Sequence, residues 1–187
     1  MPDDIANAAP LGLAAFALTT FALSVHNAGH AVLHSFWPWA VFYGGIAQFA
    51  AGMWEFKRGS TFAATAFSSY GMFWMGLASA VTLLDYGLIS SAAFVSIEKV
   101  FLTAWTIFTF YMWVGTFRIS WGLVGVFTTL ELTFVLLTLG TLFDVSALGT
   151  AGGYLGIVTA LVAWYVSGAE LLEDTWGEEV LPLGPIS

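Results

Sequence analysis

Apolar and polar positions alternate along this chain on a long scale. Six apolar runs follow one another, and short polar stretches separate them. A spanning helix needs about 20 predominantly apolar residues. On that measure the pattern predicts spans over 10–33, 39–56, 63–84, 97–117, 121–143 and 152–172. "KRGST" (57–61) joins the second span to the third, and "RIS" (118–120) joins the fourth to the fifth. "DYGLISSAAFVS" (85–96) is longer and leaves room for an interfacial turn. The predicted fold class is an all-α integral membrane protein, a six-transmembrane-helix bundle. Residues 1–187 read as a single domain, with 1–9 a short N-terminal segment and 173–187 an acidic C-terminal tail.

Composition sharpens this picture. The chain is 59% hydrophobic and 9% charged, with a mean hydropathy of +0.86. A soluble domain carries about 25% charged residues, so this chain cannot cover a water-facing surface. Lys57, Arg58 and Arg118 fall in the second and fourth connections, and Lys99 is the exception. Basic connections stay on the cytoplasmic side. The expected topology is therefore multi-pass in the cell membrane with both termini cytoplasmic. With four basic residues against twelve acidic ones, nucleic acid is not an expected partner. The absence of cysteine excludes disulfides and thiolate metal sites. The acidic start "MPDDIANAAP" has no basic n-region and is not expected to act as a cleaved signal peptide.

Polar residues inside the apolar runs are the candidate chemistry. In "TAFSSYGMFW" (65–74), Thr65, Ser68, Ser69 and Met72 share one helical face. Small hydroxyls of this kind serve as packing contacts between membrane helices. Tyr70 points elsewhere, with Phe67 and Trp74 on its own side, and its hydroxyl requires a partner in lipid. In the first span Phe16, Thr19, Thr20, Leu23 and Asn27 form one stripe. That stripe reads either as a hydrogen-bonding seam between helices or as a path for a small polar solute. Gly44, Gln48 and Gly52 likewise share a face that suits close packing or the wall of a narrow pore. Asn7 is placed to cap the first helix and Pro10 to open it. A helix start also offers free N–H groups to an anion.

Two acids lie at membrane depth. Glu131 is a candidate for proton coupling or for a neutral, hydrogen-bonded contact. Glu55 is expected to pair with Lys57 and Arg58. His26, His30 and His34 stand at spacing four, the spacing of metal or haem ligands on one helix face. Near Trp37 and Trp39 they also suit an aromatic belt or an external pH sensor. No metal and no cofactor is expected. Nucleotide-binding, nucleophile-triad and glycosidase patterns are absent, and an enzyme is not the expected class. "GGYLG" (152–156) has neither the strand nor the distant acid of a dinucleotide fingerprint.

Three stretches carry a resemblance. "NAAPLGLAAFALTT", "FYGGIAQFAAGMWEFKRGSTFAATAFSSYGMFW" and the C-terminal "VLPLG" resemble the acetate uptake transporter family, the group of the bacterial succinate–acetate permeases. The resemblance covers nearly the whole chain in order. Ala8 departs from it, standing where the family motif Asn-Pro-Ala-Pro-Leu-Gly-Leu has its first proline. The resemblance implies a pore through each protomer and a ring of protomers, commonly a homo-hexamer in membrane lipid. It implies a hydrophobic constriction of a Phe, a Tyr and a Leu, which match Phe16, Tyr70 and Leu130. It also implies a permease or channel for acetate and related small carboxylates such as succinate. Asn7, Thr19, Thr20, Asn27 and Gln48 are then candidates to line the substrate path, and Glu131 to couple protons. Two other readings stay open on the residues alone. One is a channel for a small neutral solute such as urea; the other is a haem- or metal-binding membrane subunit.

Overall fold

The computed structural model describes residues 5–186. Helices α1 (Ala9–Asn27), α2 (Trp37–Val41), α3 (Gln48–Arg58), α4 (Thr61–Asp85), α5 (Ser91–Thr116), α6 (Trp121–Phe143) and α7 (Ser146–Trp176) follow in order. A π-helical turn, Phe42–Ala47, joins α2 to α3 without a break in the helical path. Five helices, α1, α4, α5, α6 and α7, are long and apolar enough to cross a membrane. The predicted second span, 39–56, falls on α2, the π turn and α3 (37–58), whose last turns carry Glu55, Lys57 and Arg58.

Helix boundaries follow local chemistry. α1 has Pro10 in its first turn, and the Asn7 side chain accepts from the Ala9 N–H at 3.1 Å. It stops at Asn27, short of the predicted 33, because Gly29 takes φ +86° and turns the chain. Ser90 and Ser120 cap α5 and α6 by accepting from the N–H groups of Ala93 and Leu123, each at 3.2 Å. Helix α5 begins at Ser91 and so absorbs residues expected in the longer connection. Helix α7 extends past the predicted 152–172 at both ends, and the acidic tail leaves it only at Gly177. That tail then folds back. The first N–H groups of α6, on Trp121 and Gly122, donate to Gly184 O and Leu183 O, both at 2.9 Å. The "VLPLG" stretch thereby satisfies donors that a helix start leaves free.

The helices alternate in direction. The described termini, the α3–α4 turn and the α5–α6 turn lie at one end, here the termini end. Helix α7 packs most extensively on α1 and α6, while α3 packs on α4 and α5 on α6. Small residues bring backbones together. A Cβ on Gly153 would meet the backbone of Asn27 and Ala28, and one on Gly52 would meet Ser68. The hydroxyl face of 65–72 thus includes a helix-packing contact at Ser68. Aromatic rings fill the space between α1, α4, α5 and α6.

Candidate functional site

Two cavities occupy the interior. The smaller, about 60 Å³, lies toward the termini end and is lined by Ala9, Leu13, Gln48, Ala66, Phe127 and Glu170 among others. The larger, about 240 Å³, lies toward the opposite end, with Thr20, Ser24, His26, Asn27, Glu98 and Thr133 among its polar walls. Among the described residues, the two linings share three side chains: Phe16, Tyr70 and Leu130. They come from α1, α4 and α6, three helices distant in sequence.

Each of the three is held in place by its surroundings. Tyr70 is 3% exposed, and its hydroxyl makes a 2.8 Å hydrogen bond with that of Thr109 on α5. Its ring meets Phe16 at 5.7 Å, Trp105 at 5.6 Å and Phe108 at 5.4 Å between centroids. These are tilted and edge contacts of the kind aromatic rings favour. Phe67 lies one turn toward the termini end and Trp74 one turn away, and they line the smaller and larger cavity respectively.

Other sequence candidates separate into wall and seam. Thr20 lines the larger cavity, and its buried hydroxyl has no hydrogen-bond partner among the described residues. Thr19, one residue earlier, is turned away. It donates to Ala15 O at 3.0 Å and packs against Gly44, so it belongs to the α1 seam. Asn27 lines the larger cavity. Gln48 is fully buried and lines the smaller one, with both amide atoms unpartnered among the described residues. Glu131 is 8% exposed, Oε2 is likewise unpartnered, and the side chain is not among those lining either cavity.

A third cavity, about 360 Å³, opens at the termini end between Asn7, Arg58, Ser120, Glu170, Glu173 and Leu183, among others. Asn7 is the hub of a polar network there. Its amide nitrogen donates to Glu170 at 2.9 Å, and its oxygen accepts from Arg58 at 2.6 Å. Glu55 is fully buried. It accepts from the Ala8 N–H at 2.9 Å and pairs with Arg58 at 3.5 Å. Lys57 does not join this pair but stands 5.4 Å over the Trp54 ring.

The three histidines do not share a helix face, because α1 ends between the first and second. His26 bonds to Ala31 O, His30 to the Tyr154 hydroxyl and His34 to Asp85, at 2.9, 2.8 and 2.8 Å. Among the described residues, no group of three His, Cys, Asp or Glu side chains is placed to hold a metal ion. Thr109, Trp105 and Glu170 escaped the sequence reading. The first two become visible only when α5 is laid beside Tyr70.

Comparison with known proteins follows the same lines. The sequence model of the GPR1/FUN34/yaaH family matches residues 1–182. The succinate-acetate/proton symporter SatP of Escherichia coli is 38% identical over 181 residues, 96% of both chains. Acetate permease A of Emericella nidulans is 37% identical across 95% of this chain and 65% of its own length. A solved structure of the bacterial acetate channel SatP superposes with a TM-score of 0.92 at 37% identity, covering 97% of this chain and all of that one. The motif resemblance and these likenesses agree, and the chain belongs to the GPR1/FUN34/yaaH family of membrane transporters.

Proposed function

We propose that this protein carries acetate and related small carboxylates, succinate among them, across the cell membrane along a path inside each protomer. The observation that carries the reading is the neck: two interior cavities whose linings share only Phe16, Tyr70 and Leu130 among the described residues. Family membership supplies the cargo, since SatP and acetate permease A are named for acetate or succinate.

The chemistry of the neck suits that cargo. Acetate has one methyl and one carboxylate. Two rings and a leucine accept the methyl and pass larger or more highly charged acids, succinate among them, more slowly, because these lose more hydration on entering. Polar groups without a hydrogen-bond partner among the described residues stand on either side, Gln48 in one chamber and Thr20 in the other. Such groups offset part of the hydration an anion leaves behind. Asn7 and Asn27 extend the polar lining toward the two ends. Thr19 supports the wall from behind. Glu131 adjoins Leu130 in sequence but stands off the cavities, so a proton-coupling role would work through neighbouring side chains.

The same reading includes six crossings, with Trp37–Arg58 as the second, both termini cytoplasmic and a homo-hexameric ring in the bilayer. Lys57, Arg58 and Arg118 at the termini end support the orientation. The test is labelled-acetate exchange into liposomes holding the purified protein, with unlabelled acetate, succinate or urea as competitor. Protein-dependent exchange blocked by the carboxylates and not by urea is the expected result. Exchange of urea without acetate would reassign the cargo to neutral solutes.

A further inference from the structure

We propose that Glu170 is a charge gate at the termini end of the path, passing acetate when its carboxyl carries a proton. The proposal rests on the transport reading above and adds a control residue to it.

Glu170 has a distinctive position. With Leu123 it is shared between the linings of the smaller chamber and the termini-end mouth, as Phe16, Tyr70 and Leu130 are shared between the two chambers. A solute moving between mouth and chamber therefore passes this carboxyl. Its orientation is fixed by Asn7. The Asn7 oxygen is occupied by the Ala9 N–H and by Arg58, which leaves the amide nitrogen on Glu170 Oε2 at 2.9 Å.

Among the described residues, the charged groups around Glu170 give it no direct ion pair. Helix α3 presents Arg58 and Glu55, and these two pair with each other. Helix α7 itself adds Glu173 and Asp174, and the returning tail adds Glu179. Helix α6 contributes Leu123, with Ser120 at its cap, and the α1 end contributes Asn7, none of them charged. Among the described residues no salt bridge reaches Glu170. An ionised carboxylate on this route repels an approaching anion, and the half-buried position of Glu170 leaves that repulsion only partly screened by water in the mouth. The protonated carboxyl removes that repulsion and can donate a hydrogen bond to the acetate oxygen. The proton can also move: the Glu170 O–H bond breaks as the acetate O–H forms, leaving Glu170 ionised and acetic acid neutral at the chamber. At the mouth Glu170 is reprotonated by hydronium, which is left as water, or by a buffer acid, which is left as its conjugate base.

The experiment uses reconstituted full-length protein, with protein-free liposomes subtracted. Exchange at equal pH on both sides reads conduction, and accumulation under an imposed pH gradient reads coupling. Wild-type exchange is expected to fall as pH rises, by up to ~10-fold per pH unit, the slope of one titrating group. Glu170→Gln and Glu170→Ser should keep exchange, flatten that dependence and lose gradient-driven accumulation. Glu170→Asp should restore both. Either neutral variant that keeps the wild-type pH profile and accumulation overturns the gate. Absence of any wild-type acetate exchange overturns the transport reading instead, so the two failures are distinguishable.

Discussion

Tyr70→Ala is expected to open the neck and abolish discrimination by size. The substitution removes one of the three side chains common to both chambers. Succinate and larger monocarboxylates should gain on acetate by roughly 10–100-fold in relative rate, since fit in a tight apolar site discriminates on that scale. The ring is 3% exposed and meets Phe16, Trp105 and Phe108, so its loss also leaves a void. Truncating a buried aromatic side chain costs about 3–5 kcal/mol. Thr109 loses the partner of its 2.8 Å hydrogen bond as well. Tyr70→Phe separates the two effects, because it keeps the ring and removes only the hydroxyl. The measurements are uptake rates for an acid series and thermal unfolding in detergent. Selectivity unchanged in Tyr70→Ala would place the restriction elsewhere.

Gly153→Leu is expected to prevent assembly of the bundle. A Cβ at this position would lie 2.6 Å from the Asn27 carbonyl carbon and 3.0 Å from Ala28 Cα. Both are backbone atoms, and neither can rotate aside as a side-chain end could. Overpacking typically costs about 1–3 kcal/mol where side chains can adjust, and more where they cannot. The contact joins α7 to α1, which carry Glu170 and Phe16, so separating them disrupts both ends of the smaller chamber. Size-exclusion chromatography should show aggregate, and acetate exchange should vanish. Gly149→Leu is the control. It sits one turn earlier on the same helix with open space at its Cβ position, and should leave the protein monodisperse.

Hydropathy located the runs well because burial in lipid acts on whole segments. It missed features that one backbone angle or one distant neighbour decides. The first run stays apolar through Leu33, yet α1 ends at Asn27 where Gly29 turns left-handed, and the histidine face is lost with it. The π turn at Phe42–Ala47 leaves no mark in hydropathy, although its glycine pair hints at close packing. Helical geometry separated Tyr70 from the hydroxyl face correctly, because faces depend only on local periodicity. It could not divide Thr19 from Thr20. One turned to Gly44 and the other to a cavity, a distinction set by where residues 37–58 lie. Thr109 stands 39 residues from Tyr70, and no local signal links them. Glu170 falls near the end of the last predicted span, 152–172, where no local pattern marks it as a site. The extension of α7 to Trp176 and the Asn7 contact give it its place.

The central claim is that acetate crosses at the level of Phe16, Tyr70 and Leu130. The chain has no cysteine, so Leu130→Cys places a single thiol at that level. The direct measurement is acetate exchange by this variant before and after a small thiol-reactive reagent, with labelling followed by mass. The expected result is that modification abolishes exchange and that saturating acetate slows the modification. Complete labelling with exchange unchanged would contradict the account, because cargo would then be crossing somewhere other than this neck.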